Sequence, residues 1–232
     1  MIAWNPVLVA ALENAEWCDA MCRSHGMAGA FDAAMWTSPV RTPLLYPDAV
    51  TLSPDASAEL ILDRIDCGTP GATIKDSFAD LDLSGAGFRV LFDAQWIYRA
   101  AGPVATSQRP WRRVTEPGDL ADWAVAWDRD RLSDSIFRPE LLKDDAVAVL
   151  GRWDADRLVA GAVAHRSASV VGVSNLFHSD IGVDDAWTGC LATVARLWPG
   201  HPVVGYEQGE DLAAPLRAGF ETLGPLRVWS AA

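Results

Sequence analysis

The sequence is short of positive charge: 19 basic residues stand against 31 acidic ones, a formal net charge of −12. Nucleic acids and anionic membranes select basic surfaces that displace counterions, so neither is expected as the main partner. Arg109, Arg112 and Arg113 make one local basic cluster, which reads as a solvated linker edge. Cysteine is scarce as well, at Cys18, Cys22, Cys67 and Cys190. Cys18 and Cys22 share a face of an expected helix, but no second Cys or His pair completes a zinc set. Reduced core thiols and no metal are expected. Long apolar runs are missing too. Val7 to Leu12 has no basic residue ahead of it, and Glu13 and Glu16 break the apolar run on its C-terminal side, so neither a signal peptide nor a membrane span is expected, and the protein reads as cytoplasmic.

What is present is a large apolar fraction, half of 232 residues. That supplies a substantial core for one large or two small domains. Leu8, Ala11, Leu12, Ala15 and Cys18 recur at steps of three and four, which predicts a helix from Pro6 to about His25. Extended or turn-rich chain is expected around Pro43 and Pro47, a short strand at Val50 to Leu52, and a helix from Ala56 to Ile65 that ends before Gly68, Pro70 and Gly71. Two further strands are expected at Thr73 to Phe78 and Arg89 to Tyr98.

Residues 100–110 have the small, polar, proline-containing composition of a linker. We therefore expect an N-terminal unit over 1–102, a linker over 103–110, and a second unit over 111–232. The second unit reads as a strand at Trp111 to Val114 and a helix carrying Leu120, Trp123, Ala124 and Trp127. A short helix around Arg138 to Leu142 comes next, then three apolar strands, Ala146 to Trp153, Leu158 to His165 and Ser169 to Phe177. Trp187, Leu191, Val194 and Trp198 mark another helix. The chain closes on a strand at Val203 to Tyr206, a helix from about Glu210 to Phe220, and a strand through Leu226, Val228 and Trp229. Proline at position 215 means that this last helix kinks or starts late. Ala-Gly-Phe ends a helical stretch twice, at Ala86 to Phe88 and Ala218 to Phe220, a short match between the two units.

The order from 111 to 229 resembles the fold of the GCN5-related N-acetyltransferases, best over Arg152 to Phe177 and Val203 to Trp229. Residues 1–99 resemble the later part of the same fold in degenerate form. The implied class is α/β (α+β), a mixed, mostly antiparallel sheet flanked by helices in the acyl-CoA N-acyltransferase manner, in two tandem copies. The implied activity is transfer of an acetyl or acyl group from acetyl-CoA or another acyl-CoA to the amine of a small molecule or amino acid. The implied site lies where the fourth and fifth strands part.

On that resemblance the candidate catalytic residues are Glu207 and His178 as bases and Tyr206 as a proton donor. Ser174 and Asn175 would meet the substrate. Leu176, Phe177, Ile181, Gly182, Val183 and Gly189 would meet the coenzyme. Two features depart from the family pattern. The phosphate loop, usually Arg/Gln-x-x-Gly-x-Gly/Ala, aligns with Asp184, Trp187 and Gly189, which sets Asp184 and Asp185 toward a diphosphate. The tyrosine that commonly protonates the leaving thiolate aligns with Pro215. The alternative is therefore a catalytically degenerate member that binds a ligand or a protein partner. A homodimer is compatible with the surplus of tryptophan. Lys75 lies in an apolar strand and needs a partner, for which Asp93 on a neighbouring strand is the simple choice; lining a pocket is the other reading.

Overall fold

A computed structural model describes residues 5–105, 111–128 and 136–231. The first helix, α1 (Pro6–Ser24), starts where Asn5 accepts the amides of Val7 and Leu8 and proline occupies the first turn. Its buried face combines the small side chains of Ala10, Ala11, Ala15, Cys18 and Cys22 with the large ones of Trp17 and Met21.

The strands are β1 (Ala30–Phe31), β2 (Met35–Thr37), β3 (Ala49–Thr51), β4 (Thr73–Asp76) and β5 (Phe88–Arg99) in the first half. The second half holds β6 (Arg112–Arg113), β7 (Val147–Asp154), β8 (Arg157–Arg166), β9 (Val171–His178), β10 (Val203–Glu207) and β11 (Glu221–Ala231). The other helices are α2 (Ala58–Leu62), α3 (Pro117–Trp127), α4 (Val183–Leu197) and α5 (Ala213–Arg217), the last preceded by a 3₁₀ turn at Gly209–Leu212. The late start of α5 agrees with Pro215 in its middle. The linker reading over 103–110 falls partly outside the described residues, as does Arg109. Arg112 lies over the Trp153 ring at 4.0 Å, and Arg113 donates to the carbonyls of Asp144 and Val147.

Among the described residues eleven strands form one sheet, in the order β1-β2-β3-β4-β11-β5-β10-β9-β8-β7-β6. The order shows that the last strand of each half sits beside the other half. β11 is paired to β4 of the first half, and β5 is paired to β10 of the second. β5 and β11 then pair antiparallel with each other along ten registered positions, from Glu221 with Tyr98 to Ala231 with Phe88. On either side of this exchange the halves repeat one motif: a parallel pair joined by a helical crossover, β3–β4 through α2 and β9–β10 through α4. The two Ala-Gly-Phe sequences occupy matching places. Gly87 (φ 84°) and Gly219 (φ 90°) turn the chain through the left-handed region, and Phe88 and Phe220 then enter the exchanged strands or their approach as buried residues.

The core divides by face. Below α1 and α3 lie Trp96, Val204, Leu226, Val149 and Val163. On the opposite face α4 and α5 cover Ala162, Ala164, Val171, Val203 and Phe220, while α2 covers Met35, Ile74 and Trp229. Among the described residues, no helix is long and apolar enough to cross a membrane. Cys18, Cys22 and Cys190 are buried free thiols, and burial pushes their pKa up to about 11, about 12 and about 12.

Candidate functional site

β9 and β10 are registered at only two positions, Val203 with Val171 and Val204 with Gly172, and then part. Both strands contribute to the opening. On β9, three steps from Ser174 to Phe177 oppose two on β8, a bulge in which Asn175 takes a left-handed backbone (φ 54°). The Ser174 hydroxyl donates to Asn175 Oδ1 at 2.8 Å. On β10, a Cβ at Gly205 would stand 2.9 Å from the Val173 carbonyl oxygen. Glycine is what permits this last close approach before the strands diverge.

The gap is a cavity of about 230 Å³, roofed by α1. α1 comes from the first half and crosses to the second, so both halves build the cavity walls. Its roof is polar. Glu13 and His165 share a hydrogen bond of 2.9 Å between side chains that are about 95 % buried. Burial raises the Glu13 pKa, while the His165 contact opposes that rise. Glu13 fits because its neighbour is glycine: a Cβ on Gly172 would lie 2.0 Å from Glu13 Oε2.

Beside Glu13, Asn14 Oδ1 accepts from Lys75 Nζ at 2.7 Å, and the same ammonium lies 4.3 Å from the centre of the Tyr206 ring. Lys75 therefore does not bridge to Asp93. Asp93 instead accepts from Arg227 at 2.7 Å, because side chains alternate along a strand and Lys75 points to the α1 face. Tyr46, from the loop ahead of β3, is buried, and its hydroxyl donates to no group among the described residues. The Trp17 indole stands edge-on to it, 6.0 Å between ring centres, and the pull of its N–H on the phenol oxygen eases ionisation. Burial prevails and keeps that ionisation well above the usual tyrosine range.

Of the residues expected at the site, Ser174, Asn175, Leu176, Tyr206 and Glu207 all border this cavity. Glu207 is half-buried at the end of β10. Desolvation first, and the nearby Asp211 second, push its pKa up to about 7. Such a carboxylate exchanges protons near neutrality. The other expected residues are elsewhere. Phe177 packs edge-to-face on Trp123, 5.2 Å between ring centres, in the α3 core. His178 is exposed and its Nδ1 bonds the Ile181 carbonyl at 3.0 Å, which closes the loop between β9 and α4. Gly189 is buried within α4, where a Cβ would lie 2.0 Å from Trp111 Nε1. It is a packing glycine, far from the helix start.

That start is formed by Gly182 and Val183. With glycine as N-cap, no side chain satisfies the first amides of a 15-residue helix, which leaves them for water or an anion. Asp184 in the first turn is turned toward α5, where Arg217 grips it through Nε and Nη2 at 3.0 and 2.7 Å. The carboxylate there is thus offset by a guanidinium beside it. The uncapped helix start, with Arg217 beside it, could hold the phosphates of a cofactor.

Among the wall residues not singled out as site residues from sequence are Glu13, Asn14, Tyr46 and His165. For the first two a signal exists, since Asn14 and Glu13 interrupt the apolar stripe that Ala10, Ala11, Ala15 and Cys18 define.

No model of a known protein family matches the sequence, and no curated protein sequence matches it. Solved structures do match in fold. A GCN5-related N-acetyltransferase from Kribbella flavida aligns over 99 % of this chain and 96 % of its own, with a TM-score of 0.69 at 15 % identity. A putative GNAT-family acetyltransferase from Novosphingobium aromaticivorans aligns over 96 % and 99 %, with a TM-score of 0.59 at 14 % identity. A conserved protein of unknown function from Staphylococcus epidermidis aligns over 87 % and 92 %, with a TM-score of 0.59 at 10 % identity.

Proposed function

We propose that this chain, which has the fold of the GCN5-related N-acetyltransferases, moves an acetyl or longer acyl group from acyl-coenzyme A to the amine of a small molecule. The observation that carries the reading is Glu207, a half-buried carboxylate with its pKa pushed up to about 7 at the mouth of the cavity where β9 and β10 part. When bound, the coenzyme supplies an acyl thioester. Glu207 would take a proton from the acceptor's ammonium, directly or through a water. The Tyr206 hydroxyl, next along β10, is the candidate proton donor at the departing sulfur. The amides at Gly182 and Val183, with Arg217 beside them, would hold the diphosphate, and Leu176 and Ile181 would flank the arm.

Acetyl-coenzyme A should bind at micromolar to millimolar concentration and raise the unfolding temperature, and acyl transfer to amines should be measurable. No binding and no thermal shift at millimolar ligand would overturn the reading. A second reading, binding without turnover, draws on Pro215, which stands where enzymes of this fold commonly carry a tyrosine. Turnover that vanishes in Glu207→Gln decides between them.

A further inference from the structure

A larger groove of about 650 Å³ adjoins the cavity and shares Leu45, Tyr46, Pro47, Lys75 and Tyr206 with it. Its walls are apolar: Leu44 and Leu45 from the loop ahead of β3, Leu91 and Phe92 from β5, and Val228 from β11. Leu44, Leu45 and Leu91 are 56, 70 and 54 % exposed, which is costly for leucines that cover nothing. Tyr46, Lys75 and Tyr206 border both spaces and form the step between them.

At that step two hydrogen-bond donors are unspent. Lys75 is 4 % exposed and one of its three N–H groups goes to Asn14; among the described residues no carboxylate is within ion-pair distance of it. The Tyr46 hydroxyl, on a side chain 8 % exposed, donates to no group among the described residues. Buried donors left unpaired cost free energy, and an oxygen anion accepting from both would recover it. A plain anion does not suit the rest of the cavity, since Glu13 and Glu207 border it as well. A zwitterion does, with its negative end at Lys75 and its positive end at the carboxylates.

We propose that the acceptor is an α-amino acid with a large apolar side chain: its carboxylate is held by Lys75 Nζ and the Tyr46 hydroxyl, its amine faces Glu207, and its side chain lies in the Leu44–Leu91 groove. The orientation of the amine rests on the acyl-transfer reading; the binding of the amino acid does not. A site built to bond a carboxylate discriminates strongly against analogues without one, because its buried donors are then stranded.

The test is calorimetric titration of the full chain, without coenzyme, with L-leucine, L-phenylalanine, L-serine, 3-methylbutylamine and 2-phenylethylamine. Leucine and phenylalanine should bind, the two amines at least 100-fold more weakly, and serine at least 10-fold more weakly. Tyr46→Phe removes only a hydroxyl that donates to no described group, so the fold is kept, and it should weaken leucine binding about 10-fold. Lys75→Met should weaken it further. Amines that bind as well as the amino acids, no binding of any amino acid at millimolar concentration, or an unchanged affinity in Tyr46→Phe would each overturn the proposal. The two readings separate in a parallel acyl-transfer assay. Binding of leucine with no transfer upholds this inference and sinks the enzyme; transfer to carboxylate-free amines as readily as to leucine does the reverse.

Discussion

Glu13 and His165 are 152 positions apart and meet at 2.9 Å, each about 95 % buried, the first on the N-terminal helix and the second on a strand of the other half. The contact pins α1 over the parted strands. It holds polar groups in a place where the sheet would otherwise present Gly172 and open space.

Removing one partner should therefore be costly. Glu13→Ala leaves His165 without its hydrogen-bond partner and empties the roof, and a loss of about 1–3 kcal/mol is expected in denaturant unfolding. Glu13→Gln keeps an acceptor for the ring and should lose much less. Gly172→Ala pushes a methyl group against Glu13 Oε2 and should cost about 1–3 kcal/mol. In a double-mutant cycle with Glu13→Ala most of that cost should disappear; strictly additive losses would show that the two sites do not share this space.

Glu207 links stability to pH with a definite sign. Its pKa rises from 4.5 to about 7 on folding, so between these values the folded chain holds a proton that the unfolded chain has lost. Stability conferred by the protonated group is complete below pH 4.5, declines as pH rises toward 7, and the decline ends above it. The upper bound is roughly 3 kcal/mol, at about 1.4 kcal/mol per pKa unit, and solvent at the cavity mouth reduces it. Glu207→Gln should lack this slope, so that the wild-type-minus-variant difference falls from pH 4.5 to 7; parallel curves over that range would mean that the carboxylate is not perturbed.

The same group sets the expected rate profile. Acyl transfer should increase through about pH 7 as Glu207 loses its proton, and Glu207→Gln should lower turnover roughly 10²- to 10⁴-fold while coenzyme binding changes little. A variant that loses coenzyme binding instead would place Glu207 in a structural role.

Asp184 and Arg217 are exposed, so breaking their pair should alter stability by less than about 1 kcal/mol. Their effect should be on an anion at the start of α4. Arg217→Ala should weaken acetyl-coenzyme A binding several-fold, and Asp184→Asn should strengthen it or leave it unchanged. Weaker binding in both variants would remove the helix start as the diphosphate site.

The exchanged strands predict mutual dependence of the halves. Without β11, β4 and β5 lose the strand that lies between them, and two edges are exposed, the one on β5 twelve residues long. A chain ending before Glu221, or the first half expressed alone, should be insoluble or unfolded by circular dichroism and hydrogen exchange.

Much of this was legible in the sequence where the pattern is local. The period of three and four in α1, the apolar runs of β7 to β9, and Pro215 delaying α5 all act over a few residues. Lys75 was legible as a buried charge in need of a partner, but its partner was not. Asp93 is on a strand and close in sequence, whereas Asn14 is 61 positions away and reaches Lys75 only because α1 crosses the sheet. Gly189 misled for a related reason: a glycine in a helix packs against an indole as readily as a glycine in a loop approaches a phosphate.

The elements, their apolar faces and the fold they compose were written in the order of the residues alone, because periodicity and turn chemistry are local. So was the repeated Ala-Gly-Phe that starts each exchanged strand. Where those strands go and what the cavity contains were settled by tertiary contact. Strand pairing and the company a buried polar group keeps depend on meetings between distant segments, and Glu13 with His165, and Asn14 with Lys75, exist only once α1 has been laid across both halves.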